Sequence, residues 1–183
     1  MTLALGSPKT LLHRWPTLLA IAVAAVSLSD GAAEPGVGVA LVVAAAGYVV
    51  IAAFDRPALT WPMVVVLFGG VVALRAFEVP EVPVLVVIAA VGAVVVLVRR
   101  QSRMHVLQVP VGLLGLTVFA VALEVPTSVG AVVAALGLLG HAAWDAVLWR
   151  RGTVIARSFA EWCGVFDALV AVGLIVLVAA GPW

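Results

Sequence analysis

The sequence predicts an all-helical bundle embedded in a membrane, and three observations carry that prediction. Of 183 residues, 65% are hydrophobic and 10% are charged, where a soluble domain carries roughly 25% charged residues. The mean hydropathy is +1.28, so the chain lacks the polar surface to face water. Its apolar stretches, such as VPVLVVIAAVGAVVVLV, run unbroken, whereas barrel strands alternate apolar and polar residues. Only helices and closed barrels satisfy their own backbone groups in hydrocarbon, which leaves helices.

A span needs about 20 apolar residues, and proline, glycine and charge punctuation marks seven candidates. The first, Trp15–Leu28, is short and follows Lys9, His13 and Arg14. The following SLSDGAAEPG is a poor cleavage site, so this run is expected to be a retained span. The second, Gly36–Phe54, is parted from the third, Pro57–Leu74, by Asp55 and Arg56 alone. Within the third, Gly69 and Gly70 are expected to form a packing notch or a kink. The fourth, Val82–Val98, ends at Arg99 and Arg100, and the fifth is Val106–Leu123. Ser128–Trp149 is the sixth and Phe159–Ala180 the seventh, joined by RRGTVIARS. Residues 1–183 are therefore expected to form a single integral membrane domain. No residue match between the halves supports an internal repeat.

Lys and Arg mark the cytoplasmic side of a membrane protein. The N-terminal tail and even-numbered loops hold nine of them: Lys9, Arg14, Arg56, Arg99, Arg100, Arg103, Arg150, Arg151 and Arg157. The odd-numbered loops and C-terminus hold only Arg75, together with Asp30, Glu34, Glu78, Glu81 and Glu124. That asymmetry predicts the N-terminus inside and the C-terminus outside, in the plasma membrane. A net charge of +1 with no basic stripe excludes a nucleic-acid partner. The single cysteine, Cys163, excludes an internal disulfide and any multi-cysteine metal site.

The last hairpin concentrates the polar chemistry. Reflected about residue 154, it puts His141 level with Asp167 and Asp145 level with Cys163. His141 and Asp167 then lie about 12 Å from the inner ends of their helices. Residues four apart share a helix face, so His141 and Asp145 point one way, as do Cys163 and Asp167. Small residues continue those faces: Gly130, Ala134 and Gly137 on the sixth run, Ala160, Gly164 and Ala171 on the seventh. Such stripes let membrane helices pack closely, so the polar groups are expected to face protein. Ionisable groups inside a membrane are costly and default to function; an interhelical clamp is the minimum explanation. Cys163 reads first as a small buried apolar residue. Trp61, Trp144, Trp149 and Trp162 read as an aromatic belt.

Tyr48, Thr60, Trp61 and Gln108 fall in the same inner halves of their helices. A cavity is therefore expected to open toward the cytoplasm, with His105 at its rim and able to close over it. Glu161, four residues from Arg157, suits an ion pair at the membrane edge. The candidate proton or ligand site is thus His141, Asp145, Asp167, Glu161, Gln108 and Tyr48. His141, Asp145 and Asp167 also form a carboxylate-rich metal-ligand set.

HAAWD followed by FAEWCGVFD resembles a bacterial family of small multi-pass membrane proteins of unknown function. That family carries a His-Ala-x-Trp-Asp helix, matched by His141, Ala142, Trp144 and Asp145, and an acid in the next helix, matched by Asp167. Leu148 and Trp149 stand where the family often has a histidine pair. The resemblance covers the last two runs and implies no established activity. Ceramidase-like and adiponectin-receptor-like zinc hydrolases are excluded, since the seventh run has no histidine. Microbial rhodopsins are excluded because the only lysine is Lys9.

Three functions fit this sequence, in order. The first is transport or small-ligand and proton binding, with His141, Asp145 and Asp167 as a relay. The second is a membrane-embedded enzyme acting on a lipid or isoprenoid-type substrate, with a metal on the same three residues and Glu161 or His105 as base. The third is an accessory subunit that binds another membrane protein or a second copy of the chain. The expected partners are lipid bilayer and a small-molecule or lipid ligand.

Overall fold

The structure, a computed structural model, describes residues 14–29, 36–99 and 101–181. The expectations for Lys9, His13, Asp30, Glu34 and Arg100 lie outside the described residues. Seven helices follow one another: α1 (Trp15–Ser29), α2 (Gly36–Phe54), α3 (Thr60–Ala76), α4 (Glu81–Val98), α5 (Gln108–Glu124), α6 (Thr127–Arg151) and α7 (Arg157–Ala180). A 3-10 turn at Pro57–Leu59 leads into α3, and a one-turn helix at Arg103–Val106 leads into α5. No strand occurs among the described residues. Pro80 and Pro126 stand just before α4 and α6, where a missing N–H leaves no helical bond unmade. Gly152 and Gly181 end α6 and α7 in the left-handed conformation that glycine adopts without strain.

Five helical stretches are long and apolar enough to cross a membrane: Pro57–Ala76, Glu81–Val98, Arg103–Ala122, Thr127–Arg151 and Arg157–Ala180. Trp15–Ser29 and Val42–Phe54 are shorter apolar helices. At about 1.5 Å per residue, α1 reaches about 22 Å, less than a bilayer core.

Burial divides the helices sharply. Every residue from Val42 to Ala53 except Ala44 is buried, so α2 is the axis on which α3, α4 and α5 pack. A helix apolar all round belongs in an interior. α3 and α4 instead turn Val65, Val66, Val72, Val87 and Val91 outward, as lipid-facing surfaces do. α6 and α7 form the most intimate pair, and α7 also carries α1.

The connections gather at one end. Arg99 Nη1 and Gln101 Nε2 each donate to the Ala53 carbonyl at 3.3 Å. His105 Nε2 lies 2.8 Å from Asp55 Oδ1, and Arg14 Nη1 lies 3.3 Å from Glu161 Oε1. The start of α1, the α2–α3 turn, the α4–α5 link and the α6–α7 loop thus meet. Seven described arginines accompany them: Arg14, Arg56, Arg99, Arg103, Arg150, Arg151 and Arg157. Arg75, 2.8 Å from Glu81, belongs to the α3–α4 turn at the opposite end.

The α6–α7 loop docks on α3 through one hydroxyl. Thr60 Oγ1 accepts from the Ala156 N–H at 2.9 Å and donates to the Pro57 carbonyl at 2.7 Å. Thr60 is fully buried. Thr60→Val keeps the shape and strands that N–H, which should cost about 1–3 kcal/mol. Thermal unfolding in detergent measures the loss, and Thr60→Ser should restore stability.

Two packing expectations are corrected. Gly130 and Gly137 face α5, not α7: a Cβ at Gly130 would lie 2.5 Å from the Ala122 carbonyl oxygen, and one at Gly137 2.6 Å from Val118 Cγ1. α6 is sandwiched between α5 and α7, so its small residues divide between two neighbours. Gly69 and Gly70 form no notch, because a Cβ on either would meet nothing within 4 Å.

Candidate functional site

Two features bring the polar residues of α6 and α7 together. The chain reverses at Gly152, whose φ is 62°. Gly164 then lets the helices approach, since a Cβ there would stand 3.2 Å from Asp145 Cβ. His141 Nδ1 donates to Asp167 Oδ2 at 2.6 Å and lies 3.7 Å from Asp145 Oδ2. From α2, the Tyr48 hydroxyl donates to Asp145 Oδ1. Its ring meets the His141 ring edge-on, with centroids 4.8 Å apart. Cys163 completes the group: ligand atoms of His141, Asp145, Cys163 and Asp167 all lie within 4.8 Å of one another.

The cluster is nearly dry. Asp145 is 0% exposed, Asp167 3%, Cys163 4% and Tyr48 3%. Asp145 Oδ2 is buried with no hydrogen-bond partner. A carboxylate oxygen left so in a low-dielectric interior is strongly unfavourable, and it is the one feature that a simple α6–α7 clamp does not explain.

The other predicted residues lie elsewhere. Gln108 is fully buried but bonds to the Met104 carbonyl at 2.8 Å and accepts from Trp144 Nε1 at 3.0 Å. It braces the α6 turn that carries the site without joining it. Glu161 accepts from Thr17 Oγ1 at 2.6 Å and pairs with Arg14, which ties α1 to α7. The expected Arg157 partner is engaged otherwise, its guanidinium lying beside Gly152 at the C-terminus of α6. His105 bonds Ser102 Oγ at 2.7 Å as well as meeting Asp55, so it ties the α4–α5 link to the α2–α3 turn. Trp61 and Trp162 join Trp15, Phe159 and Phe166 in one aromatic cluster, Trp162 stacking on Phe159 and Phe166 and Trp61 meeting Phe159 and Trp162 edge-on, with Trp61 Nε1 donating to Ser158 Oγ at 3.0 Å.

The cavity also departs from expectation. Toward the arginine-rich end the site is covered by Leu148, Val154 and Ile155, all buried in one cluster with Tyr48 and Cys163. Val154 reaches that position with a φ of 71°, a conformation rare for a β-branched residue. Two openings among the described residues are lateral. A groove of about 620 Å³ between α2, α5 and α6 reaches His141 and Tyr48. A crevice of about 40 Å³ between α2, α3 and α7 reaches Tyr48, Cys163 and Asp167, room for a few water molecules or an ion.

The fold and cluster define an all-helical protein with membrane-length helices and a buried polar centre of one imidazole, two carboxyl groups, a thiol and a phenol. Compared with protein-family models, curated proteins and solved structures, the chain matches none.

Proposed function

We propose that this is a seven-span plasma-membrane protein, arginine-rich end in the cytoplasm, that binds a small cation at its buried His141–Asp145–Asp167 cluster as part of transport. The partition of seven described arginines against Arg75 supports the orientation. The match at His141, Ala142, Trp144 and Asp145 supports a place among the small bacterial multi-pass proteins.

The charge balance of the cluster carries the functional reading. Two carboxyl groups face one imidazole, and one carboxylate oxygen has no partner. Even a cationic His141 leaves the ionised pair one negative charge in excess, and buried charges persist only when compensated. A cation entering the cluster supplies that compensation.

The test uses purified protein in liposomes under an imposed potential, with a proton dye or a divalent-metal indicator trapped inside. Wild-type protein should carry at least one of the two. Asp145→Asn/Asp167→Asn should reduce that flux to the level of protein-free vesicles. Equal flux in wild type and variant, or none in wild type, overturns the reading.

The lateral groove favours a second reading, an enzyme acting on a lipid or isoprenoid-type chain. Its walls are apolar apart from His141, Tyr48 and Trp144. Conversion of such a lipid by purified protein, lost in His141→Ala, would favour it.

A further inference from the structure

We propose that the cation is a divalent transition metal of the zinc class, held by His141 Nδ1, Asp145 Oδ2, Cys163 Sγ and one carboxylate oxygen of Asp167. The proposal rests on the cation-site reading above and names its ligand.

Four observations lead there. First, the donors come as two pairs four residues apart on facing helices, so each pair lies on one face of its helix. Second, their spacing is close to that of a coordination shell. Bonds of about 2.0–2.3 Å in a tetrahedron put ligand atoms about 3.3–3.8 Å apart. His141 Nδ1 and Asp145 Oδ2 stand 3.7 Å apart, His141 Nδ1 and Asp167 Oδ2 2.6 Å apart, and one ligand atom from each of the four residues lies within 4.8 Å of the others.

Third, Asp145 divides its two oxygens. Oδ1 accepts from Tyr48, which orients the carboxylate, while Oδ2 is buried and unpartnered beside His141. An outer hydrogen bond on one oxygen with the other left open is how a ligating carboxylate is held. Fourth, the donor set is nitrogen, sulfur and two oxygens. Calcium and magnesium take six or more oxygens, whereas imidazole and thiolate select zinc-class ions.

Binding displaces protons. The one shared by His141 Nδ1 and Asp167 leaves, as does the Cys163 thiol proton, because only deprotonated donors ligate. A divalent ion with two carboxylates, a thiolate and a neutral imidazole carries one negative charge, the same excess as the metal-free cluster with His141 protonated. What the ion adds is a direct bond to the otherwise unpartnered Asp145 Oδ2, beside the Tyr48 hydroxyl. Four protein ligands close the shell, which suits a bound or carried ion better than hydrolysis, where a position stays open for water. The crevice at Tyr48, Cys163 and Asp167 lies beside these donors.

Cobalt(II) is the probe. Purified full-length protein in detergent, kept reduced, should bind cobalt stoichiometrically, with intense visible bands of tetrahedral coordination and a near-ultraviolet thiolate-to-cobalt charge-transfer band. Zinc should displace it and erase both. Cys163→Ser, nearly isosteric, should keep its helix content and elution volume, lose the charge-transfer band and weaken binding. Asp145→Asn should lose the visible bands. Absence of cobalt binding in wild type, or a charge-transfer band that survives Cys163→Ser, overturns the assignment. Proton flux that needs Asp145 and Asp167 without any cobalt binding would sink the metal and spare the cation site. Cobalt binding without flux of either probe would sink transport and spare the metal.

Discussion

His141→Ala should destabilise the metal-free protein by about 3–5 kcal/mol, the cost of leaving a buried ion pair half-broken. The imidazole donates to Asp167 at 2.6 Å and is the only positive-capable group among the clustered residues. Without it two buried carboxyl groups face each other. An ordinary interhelical hydrogen bond in a membrane contributes about 0.6 kcal/mol on average, so the size of the effect separates a charged centre from a neutral clamp. Denaturation in mixed detergent micelles, followed by helix content, measures it. Asp145→Asn/Asp167→Asn added to His141→Ala should recover much of the loss, because the stranded charges disappear with it. No recovery would mean that the carboxyl groups carry no charge in the folded protein.

Gly164→Leu should be the most damaging single change of size. A Cβ alone would sit 3.2 Å from Asp145 Cβ and 3.6 Å from the Ala142 carbonyl oxygen, and three further carbons have no room between α6 and α7. Overpacking of this kind costs about 1–3 kcal/mol and sometimes more. It should also part Asp145 from Cys163 and abolish cobalt binding. Gly69→Leu is the control, since nothing lies within 4 Å of its Cβ position; it should be neutral or slightly stabilising, as leucine favours helix over glycine. A Gly164→Leu variant as stable as Gly69→Leu and still binding cobalt would show that α6 and α7 tolerate a wider spacing.

Much of the bundle was legible because membrane helices announce their ends. Pro, Gly and Arg bound the runs, and the sixth and seventh predicted spans differ from α6 and α7 by no more than two residues at either end. The closeness of His141 to Asp167 follows from a short loop between helices that return antiparallel. Tyr48 as the partner of Asp145 did not follow. α2 is apolar all round, so its sequence has no periodicity from which to read its rotation. Glu161 illustrates another limit: Arg157 has the right spacing in sequence, but its guanidinium lies beside Gly152, and Arg14 arrives from α1. The cover over the site was not legible, because RRGTVIARS reads as a polar connector. Its Val154 and Ile155 fold inward, and a left-handed φ at valine is not a pattern that residue types reveal.

Tyr48 is the chain's only tyrosine, and its ring is sheathed by protein at the heart of α2. A fluorine atom installed on that ring would give a single magnetic resonance, free of overlap and out of reach of bulk lipid. Its frequency would follow the hydroxyl's grip on Asp145, turning one side chain into a native reporter of occupancy at the centre of the molecule.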